Sequence, residues 1–318
     1  MRILTGIQPS GKLHWGNYFG AMKSMFDLQA KGEDMFMFIA NFHAMTTVRD
    51  GAVLREATRE VALDYLACGL DPAKTIVYRQ SDVPEVQELA WYLSCLTPMG
   101  LLERCHSYKD KMAHGFEATH GLFAYPVLMA ADILIMQSDL VPVGKDQKQH
   151  LEVTRDLAIK FNNAYGEIFK IPDAYIPETV ATIPGTDGQK MSKSYHNTIE
   201  LFDPSAKKKV MGIVTDSKTM EEPKEPEGNS IYELYKLFAT EEEVAQMAAS
   251  FRAGNYGYGH AKKALLEAYH RLFDPFKARR EELAKDPAAL EDILQDGAKR
   301  ARAAAAPTME RVRAAVGL

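Results

Sequence analysis

GIQPSGKLHWGN, residues 6–17, joins a short apolar strand to the start of a helical pattern. The strand is predicted over Arg2 to Thr5, and the helix from Asn17 to about Ala30. Glycine lets the backbone approach a ligand closely, and a helix N-terminus presents unpaired N–H groups and a positive dipole to phosphate. A strand, a glycine-containing turn and a helix in this order are typical of the opening of a nucleotide-binding fold. A tight turn with a purely structural role is the alternative.

Short apolar strands and amphipathic helices alternate through the first two thirds of the chain. Further strands are predicted at 35–41, 75–80 and 140–144, and helices at 53–66, 84–96, 122–136 and 146–164. We expect Pro126 to kink the helix that contains it. The alternation predicts an α/β fold with a Rossmann-like, doubly wound parallel sheet and helices on both faces. Ligands bind such sheets outside the carboxyl ends of the strands.

Strand patterns largely vanish beyond residue 200. Thr240 and Glu243 form a predicted capping box, and helical patterns run through 258–285 and 288–315. We therefore expect an all-helical C-terminal domain. The predicted division is a catalytic domain over 1–195, a helical domain over 196–296, and a C-terminal helix over 297–318 that packs back near the catalytic domain.

The composition limits the classes of function. Hydrophobic residues make up 46% and charged residues 25%, as is usual for globular proteins. No apolar run reaches the ~20 residues that cross a bilayer, and the start has no signal-peptide pattern, so we expect a cytoplasmic protein without a membrane partner. The net charge of −5 argues against DNA binding and limits any RNA contact to a local surface. Cys68, Cys95 and Cys105 fit neither a disulfide framework nor a metal-ligand set.

A second motif, KMSKS at residues 190–194, follows the turn-rich segment PGTDGQ at 184–189. Glycine, proline and aspartate favour turns, so we expect this loop to be mobile. Lys190 and Lys193 are compact charges with rotatable donors, which suit a polyphosphate whose leaving group gains negative charge. For two lysines alone, a solvated basic loop is the alternative.

The two motifs together, in this order, resemble the signatures of class I aminoacyl-tRNA synthetases. LMAADIL at 128–134 and VPVGKDQKQH at 141–150 are similar to the tryptophanyl-tRNA synthetase family within that class, and the likeness covers essentially the whole chain. The resemblance implies ATP-dependent activation of L-tryptophan to tryptophanyl-adenylate with release of pyrophosphate, then transfer to tRNA(Trp). It also implies that 196–296 binds the tRNA anticodon.

The resemblance assigns residues to ATP and its phosphates. The implied catalytic residues are His14, Lys190, Lys193 and Lys111, with His14 at a phosphate and the loop lysines at pyrophosphate. The implied ATP-binding residues are Gln8, Pro9, Ser10, Gly16, Asn17, Gly144, Lys145, Asp146, Ile183, Lys190, Met191, Ser192, Lys193 and Ser194. ATP is expected as a substrate together with Mg²⁺.

Asp132 interrupts an otherwise apolar helical pattern. A buried carboxylate without a partner is costly, so Asp132 either caps or pairs with a neighbouring lysine, or serves a ligand. The resemblance implies that it accepts the indole N–H of tryptophan. Phenylalanine lacks that donor, and sites built around a substrate hydrogen bond reject such analogues by roughly 10⁴- to 10⁵-fold. The other implied tryptophan-binding residues are Tyr125, Met129, Gln147, Val141, Val143 and His43, with Tyr125 and Gln147 at the α-amino group.

Several features depart from the family pattern or bear on partners. Trp15 stands where an aliphatic residue is usual, and we expect it to pack into the core behind the turn. Lys145 stands where glutamate is common. The chain has no cysteine after Cys105, so no iron–sulfur cluster is expected in the helical domain. No other protein-bound metal is expected either. A homodimer is expected by analogy with the family.

Three rival interpretations stand beside this one. A tyrosyl-tRNA synthetase shares the fold and both motifs but not the likeness over 125–150. A noncatalytic binding relative would usually have lost His14 or the loop lysines. A generic nucleotidyltransferase would leave the helical C-terminal domain without a role.

Overall fold

A parallel β-sheet forms the centre of the N-terminal region in the computed structural model, which describes residues 1–105, 115, 119–144, 148–175 and 182–318. Its strands are β1 Arg2–Ile7, β2 Asp34–Ile39, β3 Thr75–Arg79, β4 Leu140–Pro142 and β5 Asp173–Tyr175. They lie in the order β3-β2-β1-β4-β5, and every neighbouring pair is parallel. The sheet therefore extends from β1 in both directions, which confirms the predicted doubly wound fold.

Helices connect the strands of the sheet. They are α1 Trp15–Asn17, α2 Lys23–Ala30, α3 Asn41–Ala44, α4 Gly51–Cys68, α5 Glu85–Ser94, α6 Met99–Glu103, α7 His120–Ile135 and α8 Lys148–Tyr165. A π-helical turn, Tyr18–Met22, joins α1 to α2. Asp50 caps α4, because its side chain accepts hydrogen bonds from the N–H groups of Ala52 and Val53. Helix α7 continues through Pro126.

Side chains alternate across the sheet and fill a hydrophobic core on each face. Met35 and Met37 share one core with residues of α2 and α4. Phe36 and Phe38 share the other with residues of α5 and α7. Because both faces of β2 are covered, its sequence is an uninterrupted apolar run after Asp34.

The C-terminal region is helical, as predicted. Its helices are α9 Ala206–Met211, α10 Ser230–Phe238, α11 Glu241–Ala253, α12 Tyr258–Leu283 and α13 Pro287–Val316. The predicted capping box is present at the start of α11: Thr240 N–H donates to Glu243 Oε2 at 2.8 Å, and Glu243 N–H donates to Thr240 Oγ1 at 3.3 Å. Within the described ranges, no helix combines the length and apolar character needed to span a bilayer.

Helix α13 covers the edge of the sheet at β3. Gly297 lies so near that strand that a Cβ atom there would be 1.7 Å from the carbonyl oxygen of Val77. Arg313 holds the helix through a bidentate ion pair with Glu88, at 2.6 and 2.7 Å. A covered edge strand offers no site for pairing with another chain. The single helix Pro287–Val316 also crosses the predicted boundary between 296 and 297.

An ion pair connects the helical region to α4. Arg280 of α12 donates from Nε to Asp64 Oδ1 at 2.6 Å and pairs with Glu60 as well. Burial raises the pKa of Asp64 to about 6, although the hydrogen bond from Arg280 opposes that rise. Among the residues that the structure describes, Arg280 is the cation that pairs with the buried carboxylate of Asp64.

The turn at residues 6–17 rests on the helical region through Trp15. As predicted, the indole is fully buried. Its ring centroid lies 4.7 Å from that of Phe238 in α10 and 5.1 Å from that of Tyr269 in α12. The core behind the turn therefore includes the C-terminal helices.

Candidate active site

The two predicted ATP turns lie side by side at the centre of the sheet, at the carboxyl ends of β1 and β4. Gln8, Pro9 and Ser10 follow β1, while Val143 and Gly144 follow β4. β2 and β3 lie on one side of this pair, and β5 lies on the other. The strand order reverses at this point, and a crevice there is the usual ligand site of such sheets.

The turn after β1 places the imidazole of His14 beside Gly16. A Cβ atom at Gly16 would lie 2.9 Å from two atoms of that ring, so a larger residue would displace it. The N–H of His14 donates to Asn17 Oδ1 at 3.0 Å, and the N–H of Ser10 donates to the carbonyl oxygen of Gln8 at 2.9 Å. Three predicted ATP-binding residues, Gln8, Ser10 and Asn17, are thus hydrogen-bonded within the turn that carries His14.

The His14 side chain is buried, and its Nδ1 has no hydrogen-bond partner among the described residues. Burial, followed by the charge of Lys193, lowers the pKa of His14 to about 4. The imidazole is therefore neutral near pH 7. A neutral ring can donate a hydrogen bond to phosphate from one nitrogen without adding charge to the site.

Asn197 holds the lysine loop in shape. Its Oδ1 accepts a hydrogen bond from the N–H of Ser192 at 2.8 Å, and its Nδ2 donates to the carbonyl oxygen of Lys190 at 3.1 Å and to Asp187 Oδ1 at 2.8 Å. Gly185 packs so closely that a Cβ atom there would be 2.4 Å from the Asn197 amide. The buried side chain of Asn197 thus connects the turn at Asp187 to the KMSKS motif.

The lysine loop contacts the first turn directly. The N–H of Gly16 donates to Met191 Sδ at 3.3 Å, and Lys193 Nζ donates to the carbonyl oxygen of Ser10 at 3.1 Å. Burial lowers the pKa of Lys193, while the charge of Glu200 opposes that change. Lys190 is exposed. The two motifs, far apart in sequence, therefore form one surface with Lys193 beside His14.

The remaining described parts of the predicted ATP site lie along the same loop. The carbonyl oxygen of Ile183 accepts a hydrogen bond from the N–H of Met191 at 2.8 Å. The hydroxyls of Ser192 and Ser194 are 2.8 Å apart and hydrogen-bonded to each other. Ile183 is thus fixed at the base of the loop.

Asp132 is buried in a polar cluster on α7. Its Oδ2 is 2.9 Å from His43 Nε2, and both of its oxygens are 2.9 Å from Gln80 Nε2, which donates to them. Burial raises the pKa of Asp132, and hydrogen bonds from His43 and then Gln80 oppose the rise. Its partners in the described part of the chain are therefore an imidazole and an amide, not a lysine.

Three residues of the predicted tryptophan site follow each other along α7. Tyr125, Met129 and Asp132 have the i, i+4, i+7 spacing that places side chains on one helix face. The Tyr125 hydroxyl lies 2.7 Å from His150 Nε2, and its ring centroid lies 6.1 Å from that of His43. The other described members, Val141 and Val143, are buried.

Comparison with known proteins places this geometry in a family. Residues 1–274 match the family model for tRNA synthetases class I (W and Y). This chain belongs to that family. Tryptophan–tRNA ligases of Rhodopirellula baltica and Fusobacterium nucleatum are 55% and 53% identical to it over 320 residues, covering all of this chain and 100% and 98% of theirs. The structure of tryptophanyl-tRNA synthetase from Campylobacter jejuni with ADP and tryptophan matches with a TM-score of 0.95 at 51% identity, covering both chains completely.

Four predicted site residues of this class I synthetase lie outside the described residues. They are Lys111, Lys145, Asp146 and Gln147. In the described ranges, no three His, Cys, Asp or Glu side chains come together as a group that could hold a metal ion. The family and the enzyme class predicted from the sequence are confirmed.

Sequence reasoning missed two residues of the synthetase site, Gln80 and Asn197. Gln80 directly follows β3, and a polar residue at the carboxyl end of a parallel strand is a signal that could have identified it. Asn197 lies three residues after Ser194, and nothing in its spacing distinguishes it from an ordinary loop asparagine. Both act through side-chain amides: Gln80 joins segments distant in sequence, whereas Asn197 joins neighbouring parts of one loop.

Proposed function

We propose that this synthetase activates L-tryptophan with ATP and transfers it to tRNA(Trp). The observation that carries the proposal is the buried carboxylate of Asp132. It lies among apolar residues of α7 and is hydrogen-bonded to His43 and Gln80 from two other segments. The full-length relatives named above are tryptophan–tRNA ligases, and the Campylobacter jejuni synthetase holds ADP and tryptophan. These relatives support the same substrates here.

In the first step, a carboxylate oxygen of tryptophan attacks the α-phosphorus of ATP. The bond from that phosphorus to the oxygen bridging to the β-phosphate breaks, and pyrophosphate leaves with the electron pair. Charge develops on the leaving group, so donors that meet it in the transition state accelerate the step. Lys190 and Lys193 supply positive charge, and the neutral imidazole of His14 supplies a hydrogen bond.

In the second step, a hydroxyl of the terminal tRNA ribose attacks the carbonyl carbon of the adenylate. The bond from that carbon to the phosphate oxygen breaks, AMP leaves and the hydroxyl proton is released. The helical region 196–296 is proposed to bind the anticodon, and 297–318 to brace the catalytic region. Tyr269 and Phe238 pack on Trp15, which supports a mechanical link between tRNA binding and the phosphate turn.

Tryptophan recognition is proposed to depend on the free acceptor capacity of Asp132. Among the described residues, Oδ1 accepts only from Gln80, whereas Oδ2 accepts from Gln80 and lies against His43. A carboxylate oxygen accepts two or more hydrogen bonds, so Oδ1 can also accept the indole N–H. Met129, Val141 and Val143 would surround the ring, with Tyr125 and Gln147 at the α-amino group.

ATP is proposed to enter as its Mg²⁺ complex, in which phosphate oxygens are major ligands of the ion. Gly144, Lys145 and Asp146 would bind the nucleotide at the end of β4, and Ile183 would meet the adenine. Lys111 would reach the phosphates. These assignments follow the family pattern, and the positions of Gly144 and Ile183 at the switch point and the loop base support them.

A homodimer in the cytoplasm completes the proposal. Trp91 of α5 and Met99 of α6 are 69% and 63% exposed. Aromatic residues and methionine are enriched at protein interfaces, so a second copy covering α5 and α6 would account for them. Light scattering should give a mass of twice the 35.5 kDa chain, and Trp91→Glu should lower it to that of one chain.

Amino-acid-dependent exchange of pyrophosphate into ATP tests the proposed activity. We expect exchange driven by L-tryptophan, with phenylalanine weaker by roughly 10⁴-fold or more because it lacks the indole donor. Exchange driven by tyrosine instead would assign the chain to the other amino acid of its family. No exchange with any amino acid would make it a noncatalytic relative.

A further inference from the structure

Gln80 occupies the centre of the polar cluster around Asp132. It is the first residue after β3 and has no exposed surface. Its Nε2 donates to both carboxylate oxygens of Asp132 at 2.9 Å, and its Oε1 accepts from the N–H groups of Phe42 at 3.0 Å and His43 at 3.4 Å. One amide therefore joins the end of β3 to α3 and to α7.

The orientation of this amide is fixed by its surroundings. The two backbone N–H groups can only donate, so the side of Gln80 that faces them must be the oxygen. Its nitrogen must then face Asp132. A carboxylate that receives a hydrogen bond on both oxygens from one nitrogen is also held against rotation.

We infer that Gln80 is a positioning residue that sets tryptophan specificity by holding the Asp132 carboxylate for the indole N–H. The inference rests on the proposed function. A neutral amide suits this task because it stabilises the buried carboxylate without neutralising it, whereas a lysine in its place would form an ion pair and compete with the substrate. The same amide fixes the backbone of His43, so both partners of Asp132 move together.

Two variants separate the contacts of Gln80. Gln80→Glu keeps an oxygen for the N–H groups of Phe42 and His43 but replaces the donor to Asp132 with a second carboxylate. Two carboxylates in contact share a proton, so the donor returns only when one of them is protonated. Gln80→Leu removes every polar contact of the side chain and leaves both backbone N–H groups unpaired.

The experiment compares L-tryptophan with β-(3-benzothienyl)-L-alanine, in which sulfur replaces the indole N–H, in pyrophosphate exchange. We expect Gln80→Leu to lower kcat/KM for tryptophan by roughly 10- to 100-fold, the usual effect of losing a hydrogen bond to a charged group. The sulfur analogue should lose far less, and the KM for ATP should stay within about 2-fold. Gln80→Glu should show the same loss at about pH 8 and recover part of it at about pH 6.

Gln29 provides a matched control. This second buried glutamine donates from Nε2 to the carbonyl oxygen of Gly69 at 3.1 Å, and its Oε1 accepts from Asp71 N–H at 2.9 Å and Thr75 Oγ1 at 2.8 Å. Gln29→Leu and Gln29→Glu should lower the melting temperature without changing the ratio of kcat/KM between tryptophan and the sulfur analogue.

The possible outcomes distinguish a failure of the inference about Gln80 from a failure of the proposed function. If the wild-type chain prefers tryptophan and the soluble Gln80 variants keep that preference at every pH, Gln80 has no positioning role and the inference is overturned. If the Gln29 variants lose the preference equally, general destabilisation explains the effect and the inference is again overturned. If the wild-type chain does not activate tryptophan at all, the proposed function itself is wrong.

Discussion

Lys193 Nζ donates a hydrogen bond to the carbonyl oxygen of Ser10 across 3.1 Å, although 183 residues separate them in the chain. This contact brings the lysine loop onto the turn after β1. The charge of Lys193 then acts on His14. Burial is the larger cause of the lowered pKa of His14, and the charge of Lys193 lowers that pKa further. The loop lysine and the turn histidine therefore work as a single electrostatic unit.

Lys193→Met should reduce kcat for tryptophan-dependent pyrophosphate exchange by roughly 10²- to 10³-fold, the loss typical of removing one preorganised donor to transition-state charge. The KM for tryptophan should change little. Lys12→Met is the control, because Lys12 is a lysine of the turn that Lys193 contacts, but it forms an exposed ion pair with Glu200 at 3.1 Å. Equal losses in both variants would contradict a specific role for Lys193.

The His14 ring should titrate near pH 4 in nuclear magnetic resonance spectra of the folded protein. Lys193→Met should raise that pKa but leave it below the ordinary 6.5, because burial is the larger cause of the shift. The control Lys190→Met should not move it. The pKa of His14 is lower in the folded than in the unfolded protein. The contribution of the neutral ring to the free energy of unfolding is therefore complete above about pH 6.5 and is lost as pH falls towards 4. A His14 titration near 6.5 in the wild-type protein would refute the buried neutral ring.

Asn197→Asp should loosen the lysine loop. Aspartate keeps an acceptor for the Ser192 N–H but loses the donor to the Lys190 carbonyl and adds a charge beside Asp187. We expect kcat for exchange to fall roughly 10-fold, the scale of one lost hydrogen bond. Limited proteolysis should cut the loop sooner.

Asn162→Asp is the matched control for the loop variant. Asn162 also donates to a carbonyl oxygen, that of Phe169 at 2.8 Å, and accepts from two backbone N–H groups, but it lies at the end of α8. Its variant should lose stability and keep the exchange rate per folded molecule. A loop variant with unchanged proteolysis and activity would show that Asn197 does not hold the loop.

Gly297→Ala should destabilise the protein by about 1–3 kcal/mol or more, because the added methyl group would overlap the Val77 carbonyl oxygen and push α13 away from β3. Urea unfolding measures the change. Gly259→Ala is the control in α12, since a Cβ atom there meets nothing within 4 Å. That variant should be neutral or stabilising by about 0.5–1 kcal/mol. Equal free energies of unfolding for both variants would contradict the close approach.

Arg280→Met should cost about 3–5 kcal/mol of unfolding free energy, because it leaves the buried Asp64 carboxylate without its partner. The double variant Asp64→Leu/Arg280→Met should recover a large part of that loss, since it removes the buried charge as well. A double variant as unstable as the sum of the single ones would show that the two side chains do not interact.

Much of the fold could be predicted because its elements have long, regular patterns. The apolar strand at 34–39 and the helix at 287–316 each contain enough periodic residues to be identified locally. β5 was missed because Asp173–Tyr175 is three residues long and exists through its pairing with β4. The lysine loop, which was predicted to be mobile, contacts the turn at residues 6–17. Its mobility stays a prediction.

The site was less predictable because its polar contacts depend on tertiary structure. Asp132 could be identified as exceptional from its apolar neighbours. Its partners, His43 and Gln80, come from two other segments, and only the packed sheet brings them together. The sequence suggested lysine as a structural partner because a local rule pairs opposite charges, whereas the buried site uses an imidazole and an amide.

The helix across β3 also determines when the β3 edge of the sheet can be covered during synthesis. Val77 leaves the ribosome about 220 residues before Gly297, which is roughly 10–45 s at 5–20 residues per second. Throughout that interval the nascent chain carries an uncovered strand edge that could pair with a neighbouring chain on the same polysome. The helix that protects the β3 edge is thus translated long after the strand that it covers.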